Sequence, residues 1–153
     1  MADITLTQER PDVPDVAALV EELEAHLASL YAAESRHGFS VDKLIREGVA
    51  FFVVRVDGVA AGCGGIKLFG TEFGELKRMY VRPAFRGRGF GKRLIDRLTE
   101  HAREHGVSTL RLETGIHQIN AIALYEQSGF RRIAPFGHYT NDPVSACYEK
   151  QLS

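Results

Sequence analysis

The chain has 153 residues, of which 44% are hydrophobic and 25% are charged, and its formal net charge is −1. This composition is typical of one globular domain of ordinary size, and a net charge near zero gives no overall attraction to nucleic acid or to an anionic membrane. Because two cysteines are too few for a disulfide framework and neither a signal peptide nor an 18-residue apolar run is present, we expect a single domain over residues 1–153, located in the cytoplasm.

The hydrophobic pattern predicts strands and helices in alternation along the chain. Pro14 opens an amphipathic helix, and Asp57-Gly58 is a strong hairpin turn inside a three-stranded meander. The predicted order is strand 4–8, helix 14 to about 31, helix 41–47, strands 49–56, 59–69 and 75–81, a helix ending near 105, strand 108–114, helix 120–128, and strands 130–134 and 144–152.

The connections between these elements predict the fold class. The hairpins imply antiparallel pairs, whereas the strand–helix–strand unit that runs from residue 75 to 114 implies one parallel pair. We therefore expect an α/β domain with a central mixed, mostly antiparallel sheet and helices on both faces.

A glycine-rich loop separates the third meander strand from the following helix. The strand stops at Pro83, which has no N–H to donate, and Gly87, Gly89 and Gly91 then alternate with larger residues. Free N–H groups and the dipole at a helix start favour an anion, and glycine lets the anion approach the backbone. The cations around this turn are Arg86, Arg88, Lys92 and Arg93. The loop therefore predicts a phosphate or pyrophosphate site, with a solvated basic helix face as the alternative.

Two familiar phosphate loops do not match this sequence. In the dinucleotide fingerprint the third glycine would fall one position after Gly91, and the P-loop would need glycine at Arg86 and serine or threonine at Arg93. What remains is Arg86-x-x-Gly89-x-Gly91 after a strand. This motif resembles the acetyl-CoA loop of the GNAT N-acetyltransferase superfamily, Gln/Arg-x-x-Gly-x-Gly/Ala.

A second segment is similar to the same superfamily. Residues 120–130 resemble its Asn-x-x-Ala-x-x-Leu-Tyr-x-x-x-Gly-Phe signature, with two residues fewer between Asn120 and Leu124-Tyr125. The resemblance covers roughly residues 75–134. It implies a GNAT-like fold with a splayed parallel pair, a bulge near Tyr80, and acetyl-CoA as co-substrate. The residues that it implies for cofactor binding are Met79, Tyr80, Val81, Arg86, Gly87, Arg88, Gly89, Phe90, Gly91, Lys92, Thr114, Asn120 and Tyr125.

The resemblance also implies the chemistry, which is direct attack of a primary amine on acetyl-CoA in a ternary complex. Glu75 would be the general base, directly or through a water, or else a carboxylate that faces solvent or pairs with Lys77. Tyr125 would protonate the sulfur of coenzyme A, or else be a core aromatic residue. Asn120 would bind the cofactor arm, or else cap its helix.

The acceptor and the partners are less well specified. By position in the family, Arg36, His37 and Tyr139 would contact the acceptor, each with a surface residue as the alternative. His101 and His105 are four residues apart but lack a third ligand, so no metal is expected. The rival functions are a non-catalytic acyl-CoA-binding or regulatory module and a nucleic-acid-binding domain, the second without a recognisable reading motif. A homodimer is common for such folds.

Overall fold

The computed structural model describes residues 1–35 and 40–152, without the side chain of Glu34. In these residues the strands are β1 (Ile4–Gln8), β2 (Ala50–Val56), β3 (Val59–Phe69), β4 (Phe73–Val81), β5 (Thr109–Gly115), β6 (Arg131–Ile133) and β7 (Ser145–Gln151). The α-helices are α1 (Pro14–Ala28), α2 (Val41–Arg46), α3 (Phe90–Glu104) and α4 (Ile119–Gln127), and short 3₁₀ turns lie at Ala33–Ser35, Pro83–Phe85 and Gly137–Tyr139.

The seven strands form one mixed sheet in the order β1-β2-β3-β4-β5-β7-β6. β4 and β5 are parallel, and the other neighbouring strands are antiparallel. β7 follows β6 in sequence but lies between β5 and β6 in space. The predicted α/β class and the mixed, mostly antiparallel sheet are confirmed.

The parallel pair separates soon after it begins. β4 pairs with β5 only at Gly74 with Leu110 and Glu75 with Arg111. Beyond these positions the main-chain groups of β4 that face β5 have no strand partner in the described part of the chain, so a gap opens toward the carboxyl ends of both strands. β4 also bulges here, because three steps from Lys77 to Tyr80 oppose two steps on β3, and Arg78 takes a φ of 53°. The predicted splay and the bulge near Tyr80 are confirmed.

Two apolar cores cover the two faces of the sheet. On one face α3 buries Leu94, Ile95 and Leu98 against sheet residues that include Phe52 and Leu112. On the other face α1 and α2 bury Val16, Leu19 and Leu44 against Phe51 and Val53. Alternation along β2 therefore sends Phe51 and Phe52 to opposite cores, which is why its sequence is almost continuously apolar. Helices on both faces are confirmed.

Several predicted boundaries are wrong by a few residues. β4 begins at Phe73 rather than at residue 75, because Phe73 pairs with Phe69 across the hairpin and their rings stack at 4.6 Å between centroids. α1 ends at Ala28 rather than near residue 31, and α4 begins at Ile119 rather than at Asn120.

Candidate functional site

The glycine loop presents an open helix N-terminus. Gly87 and Gly89 have φ values of 81° and 79°, a left-handed conformation that side chains with a Cβ rarely adopt. Gly89 is the N-cap of α3. Of the residues that the structure describes, none caps this helix with its side chain, and none has a heavy atom within 4 Å of a Cβ built on Gly89. Phe90 is buried in the core beneath α3, whereas Gly87 and Gly89 are exposed. The first turn of a 15-residue helix is thus accessible to an anion.

The cations predicted around the loop lie there, and several have local contacts. The Arg86 Nε donates to the carbonyl of Val81 at 2.9 Å, which ties the loop to the end of β4. The Arg88 guanidinium lies 5.6 Å from the ring centroid of Phe85. Lys92 is exposed and forms an ion pair with Asp96 at 3.2 Å. Exposed pairs of this kind contribute little to stability, so Lys92 can be redirected to an anionic ligand.

Gly91 has a packing role that the motif did not reveal. A Cβ built on this glycine would lie 2.7 Å from Cδ2 of Leu124 on α4. Real Cβ contacts are longer than that, so the absence of a side chain lets α3 and α4 approach closely. Gly91 therefore allows the close approach of α3 and α4.

A pocket of about 90 Å³ lies at the gap between β4 and β5. Its walls come from α1, both strands, α4 and the turn before β7. It brings together Glu75, Met79, Thr114, Tyr125 and Tyr139, all of which the sequence pointed to as site residues. These residues are separated by up to 64 positions in sequence, and the splayed pair of strands is what makes them neighbours.

Glu75 is buried at 3% exposure and belongs to a closed triangle of hydrogen bonds. Its Oε2 accepts from Lys77 Nζ at 2.7 Å and from the Tyr139 hydroxyl at 2.5 Å, and Lys77 also donates to the Tyr139 oxygen at 3.1 Å. Burial lowers the pKa of Lys77 and raises the pKa of Tyr139. Glu75 is therefore not a carboxylate that faces solvent. The pairing with Lys77, which was the alternative to a catalytic role, is present, and the role of Glu75 as general base stays a prediction.

Tyr125 combines a packed ring with a hydroxyl that has no partner within residues 1–35 and 40–152. Its side chain is 7% exposed, and the ring contacts Phe130 edge-on at 6.0 Å between centroids. Among the described residues, no hydrogen bond reaches its hydroxyl, although buried hydroxyls normally have one. Burial is the main cause that raises its pKa, and the nearby Glu113 charge adds to this shift. A buried donor at a pocket wall is the arrangement that a ligand would complete.

The comparison with known families agrees with this geometry. The model of the Acetyltransferase (GNAT) family matches residues 16–130, which is most of the chain. The chain belongs to the GNAT acetyltransferase family. It is accordingly an acyl-CoA-dependent acetyltransferase.

Relatives of this acetyltransferase extend over its whole length. A protein named IAA acetyltransferase from Azospirillum brasilense is 43% identical over 154 residues, covering 99% of this chain and 100% of its own. A Klebsiella pneumoniae structure assigned as an acyl-CoA N-acyltransferase is 37% identical, with a TM-score of 0.84 and 98% of each chain covered. The PaiA N-acetyltransferase of Thermoplasma acidophilum, solved in complex with coenzyme A, is 19% identical with a TM-score of 0.79, covering 98% of this chain and 99% of its own, and shows the fold alone.

Four more residues were expected to bind the cofactor or the acceptor, namely Tyr80, Asn120, Arg36 and His37. The Tyr80 hydroxyl donates to Glu22 at 3.2 Å, so its side chain is directed to α1. Asn120 is exposed and is the second residue of α4, so the capping role is wrong, since the helix starts one residue earlier. The cofactor-arm role of Asn120 stays a prediction. Arg36 and His37 lie outside the described residues.

Three residues belong to the site of this acetyltransferase although the sequence did not predict them as site residues. Lys77 was named only as an alternative partner of Glu75, although strand alternation places both on the same face. The Tyr31 hydroxyl accepts from the N–H of His117 at 3.0 Å, and a methyl group built on Gly115 would overlap that hydroxyl. Glu113 accepts from the Ser145 hydroxyl at 2.7 Å. For Tyr31 and Glu113 no local pattern marks the contact, because it is created by the topology.

Two further features concern residues 1–35 and 40–152, a metal site and a membrane-spanning helix. Within those ranges no group of three or more His, Cys, Asp or Glu side chains is placed to hold a metal ion. No helix in the same ranges has the length and apolar character needed to cross a membrane. The rings of His101 and His105 approach to 4.3 Å between centroids on α3.

Proposed function

We propose that this acetyltransferase transfers the acetyl group of acetyl-CoA to a primary amine of a small molecule or peptide, by direct attack in a ternary complex. The observation that carries the proposal is the buried Tyr125 hydroxyl, which has no partner among the described residues and lies in the same pocket as Glu75. The coenzyme A in the Thermoplasma acidophilum structure supports the choice of co-substrate.

The described residues fit two parts of acetyl-CoA, its pyrophosphate and its pantetheine arm. The first N–H groups of α3, with the open space over Gly89, would hold the pyrophosphate. The unpaired main-chain groups of β4 in the gap would pair with the amide-rich pantetheine arm, as an added strand would. When bound, acetyl-CoA supplies an acyl group that is activated toward amines as a thioester.

Glu75 would receive the proton that the acceptor amine must lose. Its Oε2 is occupied by Lys77 and Tyr139, whereas its Oε1 accepts no hydrogen bond among the described residues. Oε1 is therefore the atom that would accept the proton, either directly or through a water. The proton that Glu75 accepts from the amine must leave the site before the next turnover.

Tyr125 would act on the sulfur that leaves. A leaving thiolate carries negative charge, and a protonated phenol in a buried site is a strong donor toward it. From the unperturbed values, about 10 for Tyr and about 8.5 for a thiol such as Cys, proton transfer would be nearly balanced. Because burial raises the pKa of Tyr125, we infer that it stabilises the thiolate mainly as a hydrogen-bond donor.

The test measures release of free thiol from acetyl-CoA with a panel of amine acceptors. IAA is tested as a separate candidate, because one relative is named for it. Tyr125→Phe keeps the ring and removes the hydroxyl, and we expect kcat to fall by roughly 10- to 1,000-fold with little change in KM for acetyl-CoA. Tyr148→Phe is a matched control, because Tyr148 is also buried but its hydroxyl lies 3.5 Å from Glu126.

Three outcomes of this test would contradict parts of the proposal. Wild-type turnover in Tyr125→Phe would remove Tyr125 from the mechanism. An equal loss in Tyr148→Phe would indicate a general packing effect. Binding of acetyl-CoA with no thiol release for any acceptor would favour the non-catalytic module. The homodimer and the cytoplasmic location stay predictions, and sedimentation of the purified chain would measure the first.

A further inference from the structure

Tyr139 occupies a position that a surface loop residue would not have. Its side chain is 1% exposed, although it lies on the Gly137–Tyr139 turn between β6 and β7. The ring contacts Phe136 edge-on at 5.3 Å between centroids, and its carbonyl accepts from the N–H of Asp142 at 3.1 Å. The turn is thus fixed at both its side chain and its main chain, and it delivers one phenol to the base of the pocket.

The bond that this phenol makes is directed at one oxygen of Glu75. Tyr139 donates to Oε2 at 2.5 Å, and Lys77 donates to the same atom at 2.7 Å. A lysine ammonium on a flexible stem acts as a point charge and does not fix the plane of a carboxylate. A phenol on a packed ring has one donor direction, so it can fix that plane. Both donors are on Oε2, so Oε1 is the oxygen of this pocket-lining residue that accepts no hydrogen bond among the described residues.

We infer that Tyr139 is a positioning residue, which holds the Glu75 carboxylate so that Oε1 is presented to the acceptor amine. This inference rests on the proposed function, in which Glu75 is the base. Lys77 places a positive charge beside the buried carboxyl group, and Tyr139 supplies its orientation. The expectation of a direct contact between Tyr139 and the acceptor is thereby replaced, because the hydroxyl is used within the protein.

Other ionisable groups surround Glu75 and enter any measurement of pH dependence. Lys67 lies opposite Glu75 on β3 and forms an ion pair with Glu47, and Arg111 lies opposite Glu75 on β5. Glu113 and Cys147 face each other across β5 and β7. Substitution of Tyr139 by phenylalanine leaves these groups in place. It removes the bond to Glu75 and also the bond from Lys77 to the Tyr139 oxygen, so its effect is that of both bonds.

The experiment is a double-mutant cycle on thiol release with Tyr139→Phe and Glu75→Gln. Loss of one hydrogen bond to a charged group predicts that Tyr139→Phe lowers kcat by roughly 10- to 100-fold, with KM for acetyl-CoA unchanged. In the Glu75→Gln background the same substitution should cause no further loss. A loss confined to kcat, with KM for acetyl-CoA unchanged, is the result that a general structural defect would not give.

A conservative pair of variants separates charge from orientation. Lys77→Arg keeps the positive charge and should retain more activity than Lys77→Met, and thermal unfolding of each variant checks that the fold is intact. Undiminished kcat in Tyr139→Phe, or an equal loss in both backgrounds, would overturn the positioning role. A fully active Glu75→Gln would overturn it as well. A wild type that releases no thiol with any acceptor would instead remove the proposed function itself, together with this role.

Discussion

The substitution Gly89→Val tests whether the α3 N-terminus is the pyrophosphate site. Gly89 has a φ of 79° and open space around its Cα, so valine adds strain and bulk at the one place where a ligand would approach. Gly58 is a matched control: its φ is 83°, it also has no heavy atom within 4 Å of a built Cβ, and it lies in the turn between β2 and β3.

The magnitudes differ between stability and affinity. A side chain in the left-handed region costs about 1–2 kcal/mol, so Gly89→Val and Gly58→Val should lose similar free energy of unfolding. For a chain of this length this corresponds to a Tm lower by roughly 2–8 °C. A charge-assisted hydrogen bond contributes about 1.5–3 kcal/mol, so keeping the pyrophosphate from even one N–H should weaken acetyl-CoA binding roughly 10- to 100-fold.

Isothermal titration calorimetry with acetyl-CoA measures the affinity, and urea unfolding measures the stability of the same samples. We expect both variants to unfold earlier but only Gly89→Val to lose affinity. Unchanged affinity in Gly89→Val would refute the assignment of the pyrophosphate to this loop. An equal loss of affinity in Gly58→Val would show that strain anywhere in the chain, rather than blocked approach, weakens binding.

Two further predictions concern stability. Gly115→Ala should lower the free energy of unfolding by about 1–3 kcal/mol, because its methyl group would overlap the Tyr31 hydroxyl. Urea unfolding should show a smaller cost of the same substitution in a Tyr31→Ala background. Equal costs in the two backgrounds would contradict the steric conflict. Arg55 lowers the pKa of Glu9 and Asp15 by hydrogen bonding, so the stability it confers is present above their unfolded pKa of about 4 and is lost as pH falls through the lower folded values. Wild-type Tm should therefore fall more steeply than that of Arg55→Met below about pH 5; parallel curves would contradict this.

The fold could be predicted largely because its signals are local. Pro83 and the glycine loop mark the end of β4 and the start of α3, and Asp57-Gly58 fixes the hairpin between β2 and β3. The errors occur where tertiary contacts decide. Phe73 belongs to β4 because its ring stacks on Phe69. The turn-forming residues nearby do not reveal this contact, so they do not give the first residue of the strand.

The candidate site was predictable at the level of residue identity but not of connection. Motifs pointed to Glu75 and Tyr125, and the structure places both in one pocket. The bond from Tyr139 to Glu75 spans 64 positions and depends on a turn whose buried conformation has no sequence signature. The contact between Tyr31 and Gly115 is similar, since glycine there is required by a side chain 84 positions away rather than by its own backbone.

The position of β7 between β5 and β6 has a consequence for biosynthesis. β6 has three residues and pairs with β7 alone, and β5 gains its antiparallel partner only from Ser145–Gln151. A nascent chain that ends before β7 therefore exposes an edge of β5, and the wall that carries Glu113 lacks its neighbour Ser145. Until β7 has been translated, this part of the sheet stays incomplete. We therefore expect the nascent chain to be most dependent on chaperones in that interval, and acetyl transfer to begin only after β7 has paired.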